Sequence, residues 1–220
     1  MRSSSACHSA WQPDLRRPRY TLQQSLQVRA KRMPVMPIPT IRTSRLLLRP
    51  WTPDDAEAWF EILQEDGILR YFPNPAPPPR KKADSYIAHH LEHWEKHGYG
   101  HWAVVTQDDK RVVGWSGLEY LPELGETEVA YLLSKSVWGR GYASEAARAA
   151  LGFGFESAGL ASIIGLVHQD NVASISVLEK CGLHFADRIR LWGIEMCRYR
   201  IQRATAPEGP AAEQARPSLR

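Results

Sequence analysis

Trp138-Gly139-Arg140-Gly141-Tyr142-Ala143-Ser144 lies between a strand-like segment, Glu126 to Leu133, and an Ala-rich helical one, Tyr142 to Ser157. Gly139 and Gly141 lack Cβ atoms, so the backbone can turn sharply and bring successive N–H groups up to an anion. The helix that follows adds unpaired N–H groups and the positive end of its dipole. Ala143 and Ser144 are small and leave the approach open. This is the chemistry of a pyrophosphate cradle that needs no metal. A Walker loop requires GxxxxGK[ST], which is absent. A dinucleotide fingerprint requires a third glycine where Ser144 stands and an acid about 20 residues on, whereas Asp170 comes 29 residues after Gly141.

Outward from the turn, the chain alternates between strand-like and helix-like segments. Thr40 to Arg49 reads as a first strand. Thr52-Pro53-Asp54-Asp55 is a helix start, with a capping hydroxyl, proline at the first position and acids at the positive dipole end. Ala56, Trp59, Phe60 and Leu63 repeat at helical spacing. After a Pro-rich loop, a second helix is expected from about Ala83 to His97, stopped by Gly98. His101 to Thr106 and Arg111 to Leu121 form a hairpin pattern, and Glu126 to Leu133 adds a strand. Beyond the Ala-rich helix come a short apolar strand, Ser162 to Val167, a helix, Asn171 to Cys181, and two strands, Leu183 to Leu191 and Gly193 to Gln202. The order predicts a mixed α/β layered fold with a strand-helix-strand unit at its centre.

A second element follows the turn: Asn171-Val172-Ala173-Ser174, then Val177-Leu178-Glu179-Lys180-Cys181-Gly182-Leu183. It resembles the N-x-x-S...LEKxGF element of GNAT acetyltransferases, and the turn resembles their [QR]xxGx[GA] motif with Trp138 in the first position. The string from Trp138 to Ala146 is similar to the WGxGYAxEA of the RimJ/RimL-like branch. Thr43 to Arg49 resembles that branch's TxRLxLR strand, Gly114 to Leu118 its GxxGL strand, and Glu128 to Leu133 its AEIGYWL strand, with Ala130 replacing glycine. Together these cover most of residues 40 to 202. The resemblance implies a three-layer fold whose central mixed, mostly antiparallel sheet is flanked by helices. It implies acetyl-CoA as co-substrate and direct attack of an amine on the thioester.

The same resemblance assigns candidate residues. Gly139, Arg140, Gly141, Tyr142, Ala143 and Ser144 would hold the pyrophosphate, and Asn171 and Ser174 would reach the pantetheine arm. Leu132, Leu133 and Ser134 end a strand that splays from its neighbour, where a backbone N–H would hold the thioester oxygen. Glu128 would stand beside the thioester as general base, with Glu119 as the alternate. Ser174 or a tyrosine such as Tyr199 would serve as acid. The acceptor is a primary amine on a small molecule or a protein N-terminus, chosen by the loops Phe72 to Lys82 and Leu121 to Glu126. A catalytically silent acyl-CoA-binding module and a metal-dependent hydrolase are the competing classes.

The hydrolase reading rests on His89-His90-Leu91-Glu92-His93, an HxxEH pattern that His97 extends. Ile87, Leu91 and Trp94 define the apolar face, so His89, His93 and His97 are expected on a solvated face and no metal is expected. Cys181 ends a helix beside Leu178 and reads as a buried, inert thiol. Three cysteines without CxxC spacing give neither a disulfide framework nor a zinc site, which fits a cytoplasmic protein.

The formal net charge is +4, but residues 1–38 carry seven basic residues against the single acid Asp14. The body is therefore mildly acidic, without the basic stripe that tracks a phosphate backbone, and no nucleic-acid partner is expected. No apolar run is long enough to span a bilayer, so no membrane partner is expected, and the chain should act as a monomer or homodimer. Residues 1–38 read as a disordered basic extension, 39–203 as the N-acetyltransferase domain and 204–220 as a disordered tail. Deleting residues 1–35 should leave the melting temperature and acetyl-CoA affinity unchanged, and a large drop in melting temperature would overturn that boundary.

Overall fold

The computed structural model of the protein describes residues 37–203, so the two terminal segments lie almost wholly outside the described residues. In chain order the elements are β1 (Ile41–Arg42), β2 (Leu46–Arg49), α1 (Ala56–Leu63), α2 (Lys81–His97), β3 (His101–Thr106), β4 (Val112–Leu121) and β5 (Glu126–Leu133), followed by α3 (Tyr142–Glu156), β6 (Ser162–Val167), α4 (Val172–Lys180), β7 (His184–Leu191) and β8 (Ile194–Gln202). The eight strands form one sheet in the order β1-β2-β3-β4-β5-β6-β8-β7. Every neighbouring pair is antiparallel except β5 and β6, which run parallel. The mixed α/β architecture is as expected.

The expected first strand is two. Thr43 to Arg45 turn back, and Ile41 and Arg42 pair with Leu48 and Leu47. The turn is held from far along the chain. One oxygen of Glu145, in the first turn of α3, accepts from the Thr43 hydroxyl at 2.6 Å, the Ser44 hydroxyl at 3.0 Å and the Arg45 N–H at 2.9 Å. The other oxygen pairs with the Arg45 guanidinium at 2.6 Å. Burial works to raise the Glu145 pKa, but these donors hold it below its ordinary value.

At the next junction, Thr52 and Asp55 cap the short 3-10 turn that leads into α1. The Asp55 carboxylate accepts from the Thr52 N–H at 2.8 Å and hydroxyl at 2.9 Å. Asp55 is buried, which alone would raise its pKa, yet the Arg49 guanidinium 2.6 Å away and the Thr52 donors keep it below the usual range. The ion pair thereby fixes the angle at which α1 leaves β2.

Strand alternation sends side chains to two faces, and each face has its own core. On one, Trp102, Val104, Leu118 and Val129 pack under α3 with Ala146, Ala147, Ala150 and Leu151. The run of alanines lets α3 lie close to the sheet. On the other, Ala103, Trp115 and Leu132 pack under α1 and α2 with Trp59, Ile62, Tyr86 and Ile87. Helices on both faces of a central sheet make the three layers.

Close approach of β3 and β4 depends on Gly117, which pairs with His101. A Cβ there would lie 2.2 Å from the Gly100 carbonyl oxygen and 2.5 Å from the His101 Cα, both backbone atoms that cannot rotate away. Gly117→Ala should therefore destabilise the protein by roughly 1–3 kcal/mol through forced separation of the strands. Chemical denaturation would check this, and an unchanged midpoint would show that the strands can part at no cost.

Candidate active site

β5 and β6 meet at a single register pair, Glu128 with Ile164, and then diverge. Past that point the backbone groups on their facing edges lose one another as partners, and a buried polar group without a partner is costly. The Glu128 side chain supplies one replacement: its Oε1 accepts from the Leu166 N–H at 3.0 Å. The carboxyl is buried at 8% exposure. Burial pushes its pKa up to about 8, the Leu166 N–H opposes the shift, and the Glu119 carboxylate adds to it. Glu119 is its cross-strand partner on β4. Glu119 itself is held below its ordinary value, because His89 and the neighbouring imidazoles outweigh its burial.

The alternation of an antiparallel ladder sets which amides reach the gap. The Ser134 N–H donates to the Val113 carbonyl at 2.8 Å, so even-numbered positions of β5 turn their backbone groups to β4. The N–H groups of Tyr131 and Leu133 consequently face toward β6. Of the candidates Leu132, Leu133 and Ser134, it is Leu133 whose amide is directed into the splay. The Leu133 carbonyl accepts from the Trp138 indole N–H at 2.7 Å. Trp138, 54% exposed, thus folds its ring back over the strand end and fixes the start of the glycine turn.

In that turn Gly139 and Gly141 both have positive φ, 71° and 78°, a conformation that glycine adopts without strain. Nothing lies within 4 Å of a Cβ at Gly139, and only the Arg45 guanidinium, at 3.6 Å, within reach of one at Gly141. The first intrahelical bond of α3 runs from the Glu145 N–H to the Gly141 carbonyl. The N–H groups of Tyr142, Ala143 and Ser144 therefore have no acceptor within the helix and point out of its N-terminus. Arg140 lies over the buried Tyr142 ring at 4.8 Å and donates to its hydroxyl at 3.0 Å, leaving the guanidinium at the mouth of the turn. Open space, converging amides and one cation fit a pyrophosphate.

Asn171 is the cap of α4 rather than part of its face: its Oδ1 accepts from the Ser174 N–H at 3.2 Å. The Ser174 hydroxyl in turn lies 2.9 Å from the Tyr131 hydroxyl. Tyr131, three residues after Glu128 on the same strand, is the tyrosine that joins this cluster, and burial raises its pKa well above the ordinary value. Tyr199 packs against Phe185 and lies near Glu179. Tyr131 was within the quoted strand motif, but its partner on α4 is visible only in three dimensions.

The Cys181 Sγ lies 3.6 Å from the Ser144 carbonyl oxygen, to which it donates, and burial raises its pKa, so it is held as a thiol. The histidine row departs from expectation. His93 is buried: its Nδ1 lies 2.8 Å from the Tyr99 carbonyl and its Nε2 accepts from the Tyr120 N–H at 3.1 Å. It joins α2 to β4 instead of facing solvent.

Residues 45–184 match the acetyltransferase (GNAT) domain family. An uncharacterised N-acetyltransferase of Bacillus subtilis, YoaA, is 30% identical over 145 residues, which are 66% of this chain and 82% of that one. The crystal structure of an acetyltransferase from Agrobacterium tumefaciens superposes with a TM-score of 0.67 at 28% identity, over 76% of this chain and 96% of that one. The RimL ribosomal α-N-protein acetyltransferase, solved in complex with coenzyme A, superposes with a TM-score of 0.64 over 74% of this chain and 98% of its own, and at 15% identity it shares the fold. The glycine turn, the parted strands and the capped helix after them thus stand in a chain that belongs to the GNAT acetyltransferase family.

Proposed function

We propose that the protein transfers an acetyl group from acetyl-CoA directly to a primary amine, with Glu128 as the general base. The observation that carries this reading is a carboxyl of pKa about 8 buried where β5 and β6 part. A base works best when its pKa lies near the working pH. Acetyl-CoA supplies the activated acyl group as a thioester. Gly139 to Ser144 hold the pyrophosphate on backbone N–H groups, and the cap region of α4, at Asn171 and Ser174, borders the pantetheine arm.

The Leu133 N–H stabilises negative charge on the thioester oxygen as the amine nitrogen attacks the carbonyl carbon. Glu128 takes the amine proton. When the carbon–sulfur bond breaks, the sulfur receives a proton from the Tyr131 hydroxyl, which the Ser174 hydroxyl orients at 2.9 Å. The high pKa of Tyr131 keeps it protonated until then. No covalent acyl-enzyme is needed, which agrees with a Cys181 held as an unreactive thiol. The acceptor site lies on the α1/α2 side of the sheet, the side Glu119 faces, and takes a small-molecule amine or a protein N-terminus.

Gly141→Val should weaken acetyl-CoA binding by roughly tenfold or more. A β-branched residue at a φ of 78° strains the turn, and its methyls enter the space above the amides. Calorimetry on the folded variant checks this, and wild-type affinity would refute the pyrophosphate assignment.

Glu128→Gln preserves an acceptor for the Leu166 N–H, so the fold and acetyl-CoA affinity should persist. The maximal rate should fall by roughly 10²-fold or more at neutral pH, and the deficit should shrink as pH rises and more amine arrives deprotonated. The stability effect has the opposite sign. Burial raises the folded pKa from 4.5 to about 8, so the wild-type contribution is fully present below 4.5 and is lost as pH rises through about 8. The amide does not titrate, so melting temperatures at pH 8.5 should be equal or higher for the variant. An undiminished rate at neutral pH would exclude Glu128 as the base and turn attention to Glu119.

A further inference from the structure

His90 on α2, His101 at the start of β3 and Glu119 on β4 converge on the face of the sheet covered by α1 and α2. One ligand-type atom from each lies within 4.8 Å of the others. The two imidazoles are stacked with centroids 4.0 Å apart and are almost completely buried, at 2% and 1% exposure. His90 Nδ1 and His101 Nε2 are both buried without a hydrogen-bond partner. Two orphaned ring nitrogens on a pair of stacked, buried rings are an anomaly, since buried polar groups are almost always satisfied. A carboxylate oxygen stands 3.7 Å from His101 Nε2, too far for a hydrogen bond.

We propose that His90, His101 and Glu119 form a binding site for a zinc-class divalent metal ion, separate from the glycine turn. Three features fit the donor set to that ion. Imidazole and carboxylate are the ligands zinc uses in sites with an open position, at distances near 2.0–2.2 Å. Both rings are almost completely buried, and metal binding takes the neutral imidazole, whose free nitrogen offers a lone pair. The Tyr86 oxygen lies 2.9 Å from His101 Nδ1, the outer partner that metal-bound histidines use to fix their ring, which leaves Nε2 directed at the cluster.

Ligands around a tetrahedral ion lie about 3.3 Å apart, so the rings must tilt and Glu119 must move inward by on the order of 1 Å. Glu119 is partly exposed, at 28%, and provides the entry path. His89, 3.6 Å from the other Glu119 oxygen, orients the carboxylate from outside. The HxxEH string on α2 therefore contributes through His90, its second residue, and the other two donors come from the sheet.

The test uses the full chain stripped with chelator and titrated with Co²⁺ as a spectroscopic probe and with Zn²⁺ by calorimetry. One ion per chain is expected, with a visible ligand-field band for cobalt and a melting temperature that rises with zinc. Glu119→Gln and His90→Gln should each weaken binding by on the order of 10²-fold, while His97→Ala should keep it. Failure of wild type to bind one equivalent would overturn the proposal. So would unchanged binding in Glu119→Gln, or loss in His97→Ala alone, which would place the ion on the outer row of α2. Glu119 is partly exposed and its glutamine variant is isosteric, so that variant decides the matter if His90→Gln does not fold.

Discussion

A parallel pair of strands that separates after one register position leaves its inner edges without partners, and the architecture around the site answers that deficit. Glu128 completes the Leu166 amide with a side chain. Trp138 completes the Leu133 carbonyl with an indole. What is left directed into the gap, the amides of β5 at odd positions, is what an acyl oxygen can use. The carboxyl that repairs the strand edge is also the one whose burial brings its pKa to about 8. Under the proposed role, structure and chemistry meet in one group there, because a base needs the dry, fixed position that the repair requires.

The glycine turn stands where it does because α3 is tied at its N-terminus. Glu145 binds Thr43, Ser44 and Arg45, and Arg45 reaches on to the Arg140 carbonyl at 2.7 Å and lies over the Tyr142 ring at 4.4 Å. The first strands of the domain are in this way a brace for the glycine turn. Glu145 is an acid close to the proposed phosphate site, and its pairing with Arg45 cancels the charge that would otherwise repel such a ligand. Burial of the Ala-rich face against the sheet holds the rest of the helix.

Much of this was legible in the sequence, and the limits have physical causes. The bounds of β6 are legible because apolar side chains are buried on both its faces between turn residues, and those of β5 because Gly125 precedes it and its apolar run ends at Ser134. The glycine turn was legible because positive φ leaves glycine as its mark. The break between β1 and β2 is not, since no glycine or proline marks Thr43 to Arg45 and the residue that holds the bend, Glu145, lies a hundred positions away. His93 was assigned to solvent because a helical wheel knows only one buried face. α2 is buried on two sides near its C-terminus, where the Tyr99 carbonyl and the Tyr120 amide supply partners that make an imidazole welcome. The same blindness hid the clustering of His90, His101 and Glu119, which come from three elements. Tyr131 is not singled out over Tyr199 because sequence gives no sign of which tyrosine meets Ser174.

At the far end of the sheet, β7 pairs with β8 on one side and with nothing on the other among the described residues. An open strand is a template on which a second chain can add its own. This strand carries the adjacent Asp187 and Arg188 and then Arg190, and Asp187 is clamped by Arg198 at 2.8 Å and 2.5 Å. Charges of both signs along that rim mean that a neighbouring molecule arriving in strand-to-strand register must strip water from ions before it gains a ladder. At the other rim β1 spans two residues, too short to seed an extension. The sheet is thus finite by chemistry at one end and by length at the other, and crowded copies of the protein are steered away from fibrous assembly.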